Sequence, residues 1–155
     1  MSVSLREVSE DNAQAVLGLR TTREQERFVS TVAYSLREAA ENPQGNPWFR
    51  AVYADGRPVG FVMLSWNVDP QPPEIYGPWY LWKLLIEHTH QGKGYGAAVI
   101  RQIVELVGDQ GATELLTSYV PGEGSPAGFY ARLGFVPTGE LNADGEIVLR
   151  RPLQE

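Results

Sequence analysis

No cysteine occurs anywhere in the 155-residue chain. A disulfide-built scaffold, a thiolate nucleophile and a thiolate metal site are therefore excluded, and any thiol chemistry must enter with a cofactor. Positive charge is also scarce: 13 Lys and Arg against 19 Asp and Glu leave a net charge of -6. That balance argues against nucleic-acid binding, which needs a basic face to displace counterions from phosphates, and suits a neutral or cationic partner. Long apolar runs are missing too. The stretches 61–64 and 84–86 fall far short of the roughly 20 residues a membrane-spanning helix needs. The start, MSVSLREVSEDN, lacks the basic segment and apolar centre of a secretory signal. With only two histidines, no metal site is expected. The expectation is a soluble, cytoplasmic protein that partners neither nucleic acid nor membrane.

What is present reads as one globular domain over residues 1–155, since 43% apolar and 21% charged residues are ordinary proportions and no low-complexity tract interrupts them. Residues 3–8 suggest a strand, with Val3, Leu5 and Val8 apolar, and Asp11 stands as a helix cap before residues 13–17. Residues 21–42 turn polar and helical. Within them Ser35 and Glu38 fit a capping box that would start a helix near Leu36, and Pro43, Gly45 and Pro47 end it. Residues 48–54 and 58–66 are β-rich and joined by Asp55-Gly56, the signal of a hairpin. Pro70, Pro72, Pro73 and Pro78 make residues 67–78 a loop, expected to be mobile and close to a binding site.

Residues 80–86 run almost continuously apolar, as a central strand covered on both faces does. Val99, Ile100, Ile103, Val104 and Val107 then recur at helical spacing ahead of Gly108 and Gly111. Residues 115–120 read as a strand, 125–133 as a short helix stopped by Gly134, and 146–149 as a last strand after the turn at 142–145.

Between the apolar strand and the long helix lie Gln91, Gly92, Lys93, Gly94, Tyr95 and Gly96. Without Cβ atoms at three of these positions the backbone N–H groups can close around an oxyanion, and the helix start behind them adds roughly half a positive charge. A phosphate or pyrophosphate fits such a turn. The P-loop pattern is absent, and the G-x-G-x-G spacing is not the G-x-G-x-x-G of dinucleotide folds. On the residues alone, a glycine-rich turn without a ligand stays equally open.

Gln91, Gly94 and Gly96 match the Q/R-x-x-G-x-G/A signature of the GNAT superfamily of N-acetyltransferases. Residues 128–135, with Tyr130 ahead of Gly134-Phe135, resemble that family's later helix, and the order of elements is similar along the whole chain. The resemblance implies an α/β (α+β) fold: one domain with a mixed, mostly antiparallel sheet of about seven strands flanked by helices, the strands 80–86 and 115–120 splayed apart. It implies acetyl-coenzyme A as cofactor, its pyrophosphate held by the backbone from Gln91 to Ala97 and its pantetheine arm beside Leu84, Leu85 and Ile86. An N–H near Ile86 would polarise the carbonyl. Tyr130 falls where the family has the acid that protonates the departing thiolate. Seven residues before that tyrosine the family commonly has asparagine; here Glu123 stands, leaving Ser125 or backbone groups for that contact. Glu87 is the best single candidate for general base, ahead of His88 and His90, and Lys93 and Arg101 are candidate phosphate contacts.

Within the superfamily, residues 28–36, the strand 58–64 and the run 81–96 resemble bacterial diamine and spermidine acetyltransferases. The acceptor implied is a small-molecule amine, a polyamine or diamine. Glu24, Glu26, Glu38 and Asp69 or Glu74 could supply the carboxylates such a cation wants, with Tyr34 as a further contact. Acetylation of a protein or peptide amine, and a non-catalytic acyl-coenzyme A sensor, are the alternatives; Tyr130 favours an enzyme. A homodimer is expected from the habit of the family.

Overall fold

In the computed structural model, which describes residues 2–153, seven strands form one mixed sheet in the order β1-β2-β3-β4-β5-β7-β6. Along the chain these are β1 (Val3–Arg6), α1 (Ala13–Leu17), α2 (Val32–Glu41), β2 (Pro47–Ala54), β3 (Arg57–Ser65), β4 (Tyr80–Ile86), α3 (Tyr95–Asp109), β5 (Glu114–Tyr119), α4 (Ala127–Arg132), β6 (Val136–Leu141) and β7 (Ile147–Pro152). Every neighbouring pair is antiparallel except β4 and β5. That pair is the architectural event. It is joined only at Tyr80↔Leu116 and Leu81↔Thr117, after which the strands part and residues 82–86 have no partner on the β5 side.

The nearly unbroken apolar run of β4 follows from cover on both faces. Leu84 and Ile86 pack into the core under α3 and α4, with Val62, Leu64, Leu81, Val99, Ile103 and Tyr130. Leu85 and Trp82 pack on the other face with Val16 of α1 and Val32 and Ala39 of α2. Simple alternation from Leu84, Leu85 and Ile86 would put Trp82 on the α3 side. A bulge intervenes: Met63 faces Lys83 and Leu64 faces Leu81, so Trp82 is the extra residue. The inserted residue turns Trp82 and Lys83 to the same side, where Lys83 Nζ pairs with Glu38 at 2.6 Å and reaches Ser30 Oγ at 2.9 Å.

Several expectations need correction. The cap of α2 is Thr31, whose side chain accepts from Tyr34 N; Ser35 is buried mid-helix and donates back to Thr31 O at 2.9 Å, so the box at Ser35 does not form. Asn12, not Asp11, precedes α1, and its Oδ1 serves Ser9 N. β1 stops at Arg6 instead of running to residue 8. Residues 136–141 form an edge strand that sequence reasoning passed over. The proline-rich loop 67–78 is pinned across the sheet: Tyr76 is buried against Leu116 and Val148, and Ala143 N donates to Pro73 O at 2.9 Å. No described helix is long and apolar enough to cross a membrane.

Candidate active site

The glycine loop folds as its composition dictates. After β4, Glu87 caps a short 3-10 turn (His88–His90), Gly92 takes φ +77° and Gly94 takes φ +84° at the start of α3, a left-handed geometry that glycine adopts without a Cβ penalty. Among the described residues, no protein acceptor meets any backbone N–H from Gly92 through Ala97. Six consecutive donors at the N-terminus of a 15-residue helix are therefore left unpaired, with the positive end of its dipole behind them. Gly96 has a different task. A Cβ there would stand 3.1 Å from Phe129 Cζ, so its hydrogen lets α3 close on α4. Tyr95 is buried and supplies backbone only, whereas Lys93 is exposed beside the donors.

Gln91 turns its side chain inward. Its Nε2 donates to Ile86 O at 2.9 Å, and its amide forms a reciprocal pair with Gln25, at 2.9 and 3.0 Å. The loop is thereby tied to the segment before α2, which also anchors to the end of β4 through His88 N to Arg20 O at 2.9 Å.

At the vertex of the opening, Thr117 Oγ1 donates to the buried Leu81 O at 2.9 Å. Beside it lies Tyr130, 8% exposed, its ring edge-on to Phe129 and Phe135 with centroids 5.2 and 5.3 Å away. Burial pushes the Tyr130 phenol up to about 12, opposed by the Thr117 hydroxyl and reinforced by the charge of Glu146. A phenol so placed keeps its proton at every physiological pH. Ser125 lies just before α4, its Oγ 3.4 Å from Ala127 N, while Glu123 is exposed.

Glu87 is constrained. Desolvation raises its pKa, but hydrogen bonds from the Thr89 hydroxyl and Thr89 N, with His88 and His90 nearby, outweigh it and leave the carboxyl below its ordinary value. The carboxylate is occupied as a turn cap. Leu81, the last residue paired with β5, is six positions away, about 20 Å along a strand.

The acceptor-side residues do not converge. Glu26 is paired with Arg20 at 2.9 Å, Glu38 with Lys83, and Glu24 is exposed. Tyr34 is exposed, with Lys83 Nζ 5.6 Å from its ring centre. Asp69 and Glu74 lie on the proline-rich loop, exposed. Phe28 packs near Gly122 and Gly124, so the segment before α2 meets the loop after β5 across the wide end of the opening. Arg101 lines a separate depression of about 740 Å³ with Arg132 and Arg151. Among the described residues, no three His, Asp or Glu side chains are grouped so as to hold a metal ion.

Comparison with known proteins points the same way as the geometry. The Acetyltransferase (GNAT) family pattern matches residues 8–135. The spermine/spermidine N(1)-acetyltransferase of Bacillus subtilis (strain 168) is 25% identical over 154 residues, spanning 99% of this chain and 100% of that one. Among solved structures, an aminoglycoside acetyltransferase in complex with coenzyme A superposes with TM-score 0.73 at 19% identity, covering 97% of this chain and 95% of the other. The PaiA N-acetyltransferase from Thermoplasma acidophilum, in complex with coenzyme A, superposes with TM-score 0.62 at 16% identity, over 98% and 99% of the two chains.

Proposed function

The chain belongs to the acetyltransferase (GNAT) family, and on that premise we propose that it acetylates a primary amine of a small polycation, a polyamine such as spermidine or a related diamine. The observation that carries the reading is the row of six unpaired N–H groups at the start of α3, next to the unpaired edge of β4. An oxyanion donor set beside a strand edge suits a ligand with a pyrophosphate at one end and an amide-bearing arm at the other.

The cofactor, acetyl-coenzyme A, supplies the activated acetyl thioester. The donors from Gly92 to Ala97 hold its pyrophosphate, and Lys93 adds positive charge. The free edge of residues 82–86 offers backbone hydrogen bonds to the arm and an N–H to polarise the carbonyl, while Leu84 and Ile86 give it an apolar wall. Leu85 contributes neither side chain nor free backbone to the arm, because its side chain is buried on the α2 face and its carbonyl points to β3 beside Gly60, so Leu84 and Ile86 present the edge. Ser125 stands in for the usual asparagine. Tyr130 gives its phenolic proton to the departing sulfur. The acidic chain favours a cationic acceptor.

Purified protein with acetyl-coenzyme A is offered spermidine, spermine, short diamines, aminoglycosides and peptides, and free thiol release is followed. Spermidine or a diamine should give the highest kcat/KM. Preference for peptides, or no turnover on any amine, would overturn the proposal.

A further inference from the structure

A polar chain crosses the opening between β4 and β5. Tyr80 Oη lies 2.6 Å from Ser118 Oγ, and Ser118 Oγ lies 2.6 Å from Glu146 Oε1. Asn142 Nδ2 donates to the same carboxylate oxygen at 3.0 Å and to Ser118 Oγ at 3.3 Å, while Asn142 Oδ1 accepts from Glu146 N at 2.9 Å. Ionised Glu146 can only accept, and Ser118 has one hydroxyl proton, so Ser118 donates to Glu146 and Tyr80 must donate to Ser118. The chain therefore has a direction, ending on a carboxylate.

Its location matters as much. Tyr80 and Leu81 are the last residues of β4 paired with β5, so the chain starts at the vertex where the strands part. Tyr80 packs with Tyr76, Leu116 and Val148, whereas Tyr130 belongs to the cluster under α3 and α4. The two phenols thus approach the vertex from opposite faces of the sheet. Burial raises the Tyr80 phenol above its usual range, and the charge of Glu146 raises Tyr80 and Tyr130 alike. The other ionisable group packed against Tyr80 is Tyr76, itself flanked by Glu74 and Glu140.

We propose that Tyr80, Ser118 and Glu146 form a proton relay that deprotonates the acceptor amine, with Glu146 as the final proton acceptor; this rests on the function proposed above. The ammonium passes one proton to Tyr80 Oη as the Tyr80 proton moves to Ser118 and the Ser118 proton to Glu146. The neutral amine then forms its bond to the acetyl carbon as the carbon–sulfur bond breaks. Tyr130 protonates the sulfur and recovers a proton from the acetylated nitrogen, and Glu146 releases its proton to solvent. No phenolate is stored at Tyr80, in keeping with its raised pKa. Glu87 cannot serve in this place, being about 20 Å along the strand from the vertex and held by Thr89.

Three variants test the relay: Tyr80→Phe, Ser118→Ala and Glu146→Gln, the last keeping an acceptor for Ser118 and Asn142. Each should lower kcat with spermidine about 100-fold, with coenzyme A affinity unchanged, and Tyr80→Phe/Glu146→Gln should lose no more than either single variant, as parts of one relay do. Independently of turnover, phenolate absorbance during alkaline titration of the unliganded protein should rise at lower pH in Glu146→Gln. Wild-type kcat in the variants, additive losses in the double variant, or an unmoved titration would overturn the relay. A wild-type protein that binds coenzyme A yet acetylates no amine would overturn the proposed function, and the relay with it.

Discussion

Gly96→Ala puts a methyl group where α3 meets α4. The new Cβ would stand 3.1 Å from Phe129 Cζ and 3.3 Å from Cε1, so the Phe129 ring must move by a few tenths of an ångström. Two effects compete. Alanine gains up to about 1 kcal/mol in helix propensity, less in the first turn where Gly96 sits, whereas overpacking costs about 1–3 kcal/mol. The second wins, and a net loss of about 1–2 kcal/mol corresponds to roughly 2–8 °C in Tm for a chain of this size. The catalytic loss should be larger than the stability loss, because Phe129 is edge-on to Tyr130 and would displace the proposed acid with it. Thermal unfolding, coenzyme A binding and kcat are measured side by side with Gly92→Ala, whose Cβ meets nothing within 4 Å but suffers the positive φ. Gly92→Ala should weaken cofactor binding and spare kcat; Gly96→Ala should do the reverse. A Gly96→Ala protein with wild-type Tm and wild-type kcat would refute the argument that this glycine serves packing.

Tyr130→Phe should cut kcat by about 100-fold with coenzyme A affinity retained, as measured by thiol release and calorimetry. Because folded Tyr130 keeps its proton to about pH 12 against 10.0 for the ordinary group, stability should be complete below pH 10 and fall as pH rises toward 12. The two-unit shift corresponds to about 3 kcal/mol, and Tyr130→Phe should flatten that alkaline loss in urea unfolding. Lys83→Met strands the half-buried Glu38 carboxylate and should destabilise by about 1–3 kcal/mol; Lys83→Met/Glu38→Leu should regain most of it. Glu87→Gln should leave the pH dependence of kcat unchanged, which measurement across pH 6–10 checks.

The β4-loop-α3 unit was legible because its signals are local: an apolar run, three glycines and a helical period fall within thirty residues of chain. β6 was not, since Val136 and Leu141 are exposed at the sheet edge and Pro137 and Gly139 interrupt them, so no burial pattern marks the strand. The Ser35 box satisfied the capping pattern, yet Ser35 lies on the buried face and the true cap, Thr31, precedes no such pattern. Of the candidate site, Gln91 to Gly96 and Tyr130 were singled out by the resemblance to the family signature. The contacts of Tyr80, Ser118 and Glu146 were not, for they join residues 38 and 28 positions apart through a sheet register that sequence does not display. Glu38 looked like a free carboxylate because its cationic neighbour, Lys83, comes from elsewhere in the fold, whereas the partner of Glu26, Arg20, stands only six residues earlier in the chain.

The Gln25–Gln91 amide pair makes the cofactor loop and the segment leading into α2 members of one mechanical unit. Any ligand that tightens one end of that unit spends free energy the other ligand no longer has to spend. Linkage is reciprocal, so the factor by which coenzyme A changes amine affinity equals the factor by which amine changes coenzyme A affinity. Gln25→Ala, which touches neither the six N–H donors nor Tyr130, should bring both factors toward one together.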